Sequence, residues 1–231
     1  MRRHALAAVA AVVVLLLMMT MTLEAHGVTN RDAEFVRTVK GAAMGPFIYL
    51  GGKHMVTGYD HLQFLVGVVF FLYRARDVVA YVSLFTVGHS VTLLAGVLGN
   101  VHANAYLIDA VIGLSVVYKG FENIGGFERL FGFTLNSRFA VLTFGLFHGF
   151  GLATKLQDLR LPANGLVTNL VSFNVGVECG QTLALGAVLI ALSYWRTSEA
   201  FRKHAFVTNT ALMTGGFVLM GYQLVGYGLN R

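Results

Sequence analysis

Charge and cysteine are the scarce components of this chain. Only 12% of its 231 residues are Asp, Glu, Lys or Arg while 56% are hydrophobic. A soluble domain of those proportions would lack the polar surface to cover itself, so an ordinary soluble protein is excluded and a polytopic membrane protein is implied. The 17 Lys and Arg outnumber the 11 Asp and Glu. They are scattered between apolar runs and form no contiguous basic patch, which argues against nucleic acid as a partner and makes the excess a topology signal. The single cysteine, Cys179, allows no internal disulfide, and without a C-x-x-C pair the chain builds no thiolate cluster. There is no ATP-binding motif, low-complexity tract, convincing internal repeat or second domain.

What is present is a series of lipid-length apolar runs. Met1-Arg-Arg-His followed by an apolar stretch to residue 23 has the form of a secretory signal, with Leu23-Glu-Ala25 as a cleavage site. Residues 1–25 are therefore expected to be a signal peptide, or a first transmembrane helix if uncut. Residues 26–56 read as a polar segment at the outer surface followed by a short re-entrant or interfacial approach, since 41–52 is apolar but too short to span. Residues 57–231 hold six expected spans, at 57–73, 78–98, 105–121, 138–155, 166–195 and 205–229. The expected fold is all-α, a compact bundle of about six transmembrane helices after the signal, or seven if it is retained. Arginines after the first span, around 129–138 and at 196–203, against none in the loop 99–104, place the mature N-terminus and the C-terminus outside a bacterial-type plasma membrane. Lys155 and Arg160 on the outer side count against that assignment without reversing it. The 27 glycines, often four apart as in Gly145/Gly149 and Gly176/Gly180, imply closely approaching helices.

Ionisable groups inside apolar helices are costly and mark functional sites. His54, Asp60 and His61 stand at the mouth of the first span. Their imidazole and carboxylate donors suit nickel, cobalt, zinc or copper; the ordinary alternative is Asp60 as a helix cap. His89 lies near the midplane of the second span with Thr86 and Thr92 on its face. Ser90 adjoins it but points about 100° away, which argues against a ready Ser-His nucleophilic pair. Asp109 on the third span has no basic neighbour in sequence. Glu122 has Lys119 and Arg129 nearby and reads as an interfacial pair. His148, between glycines, is at the middle of the fourth span. On the fifth, Asn174, Glu178 and Gln181 are spaced four and three apart, so Glu178 is expected to face the bundle interior with the other two as weaker or supporting ligands.

Five motifs in order resemble the HupE/UreJ family, in its branch of small polytopic proteins with a signal peptide. They are His54-x5-Asp60-His61-Leu62, Phe85-Thr-x-Gly-His89-Ser-x-Thr-Leu93, Glu122-Asn123, Phe144-Gly-Leu-x-His148-Gly-x-Gly and Phe173-Asn-x-Gly-Val-Glu178-x-Gly-Gln181. The first spacing is one residue longer than the His-x4-Asp-His of the larger nickel/cobalt permeases, and Met55 stands where relatives often have Pro. The resemblance implies a nickel or cobalt permease serving metallo-enzymes such as hydrogenase and urease, and maturation proteins as partners.

The expected function is thus a divalent-metal permease or facilitator, with nickel or cobalt favoured and zinc or copper as alternatives. His54, Asp60, His61, His89, His148 and Glu178 are the expected ligands, and Asp109, Asn174, Gln181, Thr86 and Ser90 the supporting groups. Two other readings stand beside it. One is an intramembrane zinc hydrolase with Glu178 or Asp109 as general base. The other is a metal-binding accessory protein that transports nothing. One compact cluster and a path with two stations both fit the sequence.

Overall fold

The computed structural model describes residues 34–36, 38–158 and 164–230. The expected signal segment 1–25, much of the polar segment after it and Arg160 lie outside them. Apolar runs of this length must satisfy their own backbone hydrogen bonds, and they do so as helices. These are α1 (Met44–Thr57), α2 (Tyr59–Val69), α3 (Ala75–Leu98), α4 (Ala105–Asn123), α5 (Gly126–Phe131), α6 (Ser137–Asp158), α7 (Leu166–Arg196) and α8 (Glu199–Leu229). Among the described residues there is no strand. The chain is an all-α, membrane-type protein.

The first expected span, 57–73, is divided differently from its hydropathy. Gly58 is extended, at φ −75° and ψ 100°, and separates the 14-residue α1 from the 11-residue α2. Much of the stretch read as a short approach, 41–52, is α1 itself, packed along α7. The two half-helices together cover what one membrane pass requires, with the break in its interior.

Glycines set three close helix pairs. In α1 and α7, a Cβ on Gly176 would lie 2.0 Å from the Ile48 carbonyl oxygen, and one on Gly180 2.6 Å from that of Gly52. In α3 and α6, a Cβ on Gly145 would be 2.5 Å from the Phe85 oxygen and one on Gly149 2.0 Å from the His89 oxygen. In α4 and α8, Gly113 abuts Met220 and Gly120 abuts Asn209. Only residues without side chains permit such approach. The pairings rise together in the first two pairs, which are parallel, and oppositely in the third, which is antiparallel. That is the pattern of six alternating passes if α1 and α2 count as one.

Of these helices α3, α6 and α7 are long and apolar enough on their own to cross a membrane. α2 is too short, and α4 carries Asp109, Lys119 and Glu122. The outside of the bundle is apolar: Leu183, Ile190, Phe139 and Val79 are all exposed, as a lipid-facing surface requires. At one end, Arg196 at the foot of α7 donates to the carbonyls of Val69, Phe70 and Leu72, the last two at 2.7 and 3.0 Å. A cation thus caps the C-terminus of α2, where the helix dipole favours it.

Candidate metal centre

His54 near the end of α1, Asp60 and His61 in the first turn of α2, His89 on α3 and His148 on α6 come together inside the bundle. None of them is more than 3% exposed. His61 is the hub, its ring centroid 5.0 Å from His54, 5.0 Å from His148 and 5.9 Å from His89. Asp60, His61 and His148 each offer a ligand atom, and these atoms all lie within 4.8 Å of one another. His148 has about 15 Å of α6 on either side of it, so the cluster is at mid-depth. His54, Asp60 and His61, read as the outer mouth, belong to this one compact centre.

Hydrogen bonds orient the rings. His148 Nδ1 lies 2.8 Å from the Phe144 carbonyl oxygen. A carbonyl can only accept, so Nδ1 carries the proton and Nε2 keeps its lone pair. His61 Nδ1 lies 3.0 Å from Asp60 Oδ1, the carboxylate–imidazole pairing that frees Nε2 of a metal-binding histidine. The N-cap position of α2 is taken by Gly58, and Asp60 stands in the first turn. Nε2 of His148 and both ring nitrogens of His89 have no hydrogen-bond partner among the described residues. Buried polar atoms almost always have one; orphaned imidazole nitrogens beside a carboxylate fit a borderline divalent cation.

The break at Gly58 serves this geometry. Its φ is open to any residue, but a Cβ there would lie 3.0 Å from His61 Nδ1 and 3.1 Å from Asp60 Oδ1. The break also brings the negative end of α1 and the positive end of α2 into the bundle interior, a cation-favouring end beside a carboxylate-favouring one.

A scan against protein families matches residues 30–231 to the family described as HupE / UreJ protein. The chain belongs to the HupE / UreJ family. Searches of curated proteins and of solved structures return no match. Membership and the apolar helices make it a multi-pass membrane protein of a family tied to metal transport or accessory metal handling.

The remaining candidates of this HupE / UreJ protein separate into three groups. Asp109 has a partner the sequence hides: Lys155 on α6 donates to its Oδ2 at 2.9 Å, on the side of the centre toward the 99–104 loop. Asn174 and Gln181 are buried on α7, with Gln181 Nε2 donating to Thr86 Oγ1 at 3.0 Å. Thr92 is spent on packing, its hydroxyl donating to the Leu146 carbonyl at 2.7 Å, and Ser90 is half-buried beside His89.

Glu178 corrects an expectation. It is exposed, and the group of ligand atoms that lie close together does not include it. Successive residues turn about 100°, so Glu178 lies about 40° beyond Asn174 and Gln181 about 20° to the other side. Contact with α1 centres the buried face of α7 on Phe173, Val177 and Gly180. That contact leaves Asn174 at the rim of the buried face and Glu178 past it.

The Glu122-Asn123 motif is structural. Lys119 donates to Glu122 at 2.6 Å, and Ser137 to the same carboxylate at 3.1 Å. Asn123 donates to the Gly67 carbonyl and to Asn209 Oδ1, each at 2.8 Å, tying α2, α4 and α8 together. Gly58, Lys155 and Asn209 went unrecognised in the sequence. Only Gly58, set between His54 and Asp60, carried a local signal.

Proposed function

We propose that this protein is a permease or facilitator for a divalent transition metal, with nickel or cobalt as the substrate favoured by family and zinc or copper as alternatives. The observation that carries the reading is the single buried mid-depth centre, where Asp60, His61 and His148 place ligand atoms within 4.8 Å of one another and His54 and His89 adjoin. Mixed nitrogen and oxygen donors hold such a cation firmly enough to admit it and weakly enough to release it. Asn174 and Gln181 extend the polar lining along α7. The arginine-rich end faces the cytoplasm of a bacterial-type plasma membrane, with both mature termini outside. Metallo-enzyme maturation proteins are the partners this role implies.

The hydrolase reading loses support because its two proposed bases are poorly placed: Glu178 is exposed and Asp109 is engaged by Lys155. The deciding experiment couples metal analysis of the purified protein to flux in proteoliposomes with nickel, cobalt, copper and zinc. Saturable flux that disappears in His148→Ala is expected. A stoichiometric metal with no flux of any of the four overturns transport.

A further inference from the structure

We propose that Phe64, Phe85 and Phe144 form a gate that closes the metal centre toward the arginine-rich end of the bundle; the inference rests on the permease reading. Each of the three is one helical turn from a histidine of the centre. Phe64 follows His61 by three residues on α2, Phe85 precedes His89 by four on α3, and Phe144 precedes His148 by four on α6. The opposite signs matter, because α2 runs against α3 and α6, as the contacts of His61 with His89 and of Phe64 with Phe85 require. All three rings therefore fall on the same side of the centre.

They form a continuous layer. The Phe64 centroid is 5.3 Å from Phe85 and 5.9 Å from Phe144. The layer also lies directly against the ligands, with His148 5.3 Å from Phe64 and 5.0 Å from Phe85. Phe64 and Phe85 are buried and Phe144 half-buried. Beyond the layer, Tyr118 packs tilted against Phe144, centroids 5.3 Å apart, and Lys119, Glu122 and Ser137 form a polar group near the end of α4.

The opposite side of the centre is different in kind. There the charged pair Asp109–Lys155 lies between the histidines and the 99–104 loop. One approach to the centre is polar and the other is sealed by aromatic rings. A divalent ion that leaves nitrogen and oxygen donors for such a layer finds no replacement ligand, and rings of apolar side chains gate by this means. The rings must part, or one must be lost, for the ion to continue.

The test measures release from each side separately. Full-length protein is reconstituted in proteoliposomes of known orientation, loaded with nickel, and exposed to the impermeant chelator EDTA on one face only. The wild type is expected to lose nickel to EDTA at the Asp109 face at least about tenfold faster than at the Glu122 face. Phe64→Ala and Phe85→Ala are expected to bind nickel with unchanged stoichiometry and to lose it from both faces at similar rates. Phe85→Leu, which keeps an apolar side chain of similar reach, should retain the asymmetry. Equal loss from both faces of the wild type overturns the gate while leaving the binding site intact. So do alanine variants that bind nickel and stay asymmetric. If the buried variants fail to fold by size exclusion, Phe144→Ala and the wild-type asymmetry decide. A wild type that binds none of nickel, cobalt, copper or zinc removes the permease reading, and the gate with it.

Discussion

His61 and His148 each engage Nδ1 in a hydrogen bond, one with the Asp60 carboxylate and one with the Phe144 carbonyl, and each keeps Nε2 for the centre. Supporting partners of this kind typically tune metal affinity by about 10–100-fold. Asp60→Asn should therefore weaken metal binding by about that factor, while Glu178→Gln, changing an exposed group, should leave it within twofold, about 0.4 kcal/mol. Titration of the purified variants checks both; a Glu178→Gln protein as impaired as Asp60→Asn would place the carboxylate back in the site. The histidines were legible in the sequence because a buried imidazole stands out in an apolar run. Glu178 was misread because four-and-three spacing defines a face but not which neighbour covers its centre. Asp109 lost its apparent isolation to Lys155, 46 residues away, a contact that only the packing of α4 on α6 creates.

Among the elements, the lengths of α3, α6 and α7 follow their apolar runs closely, since a long hydrophobic stretch has one way to satisfy its backbone in lipid. The α1–α2 unit does not follow, because hydropathy averages over the Gly58 break and the short, glycine-bearing run 41–52 reads as a re-entrant or interfacial approach. Two of its glycines, Gly51 and Gly52, are contact surface toward α7, while Gly45 has nothing within 4 Å of a Cβ. Gly176 on α7 has the Ile48 carbonyl 2.0 Å from where a Cβ would sit, whereas Gly186 on the same helix has nothing within 4 Å. Gly176→Ala should therefore lower thermal stability by about 1–3 kcal/mol, the usual cost of overpacking. Gly186→Ala should be neutral or add about 0.5–1 kcal/mol through the unfolded chain. Thermal unfolding of the two variants in one detergent measures the difference, and equal midpoints would mean that α1 does not pack on α7 as described.

For the whole molecule, the alternation of charge and the direction of the helices constrain one another. Arg74, Arg76, Arg129, Arg138, Arg196, Arg202 and Lys203 all fall at the end of the bundle where α2 meets α3, α4 meets α6 and α7 meets α8. The loop between α3 and α4 lies at the other end and has no Lys or Arg. Because α1 and α7 are parallel, as are α3 and α6, the broken α1–α2 unit must count as a single pass. The C-terminus of α8 then lies at the arginine-poor end. Were α1 and α2 a re-entrant pair, every later helix would run the other way, and α1 could not lie parallel to α7 with Gly176 against Ile48 and Gly180 against Gly52. The proposed topology, read from the positive-inside bias, predicts the Asp109–Lys155 side outward and the phenylalanine layer inward. Single cysteines placed at His102 and Thr134 in a Cys179→Ser background report this directly. In intact cells an impermeant maleimide should label His102→Cys and leave Thr134→Cys unlabelled until the membrane is opened. The reverse pattern would turn the bundle over and make the aromatic layer an outer gate; labelling at both positions would show that α3 and α4 do not carry the chain across as the paired helices require.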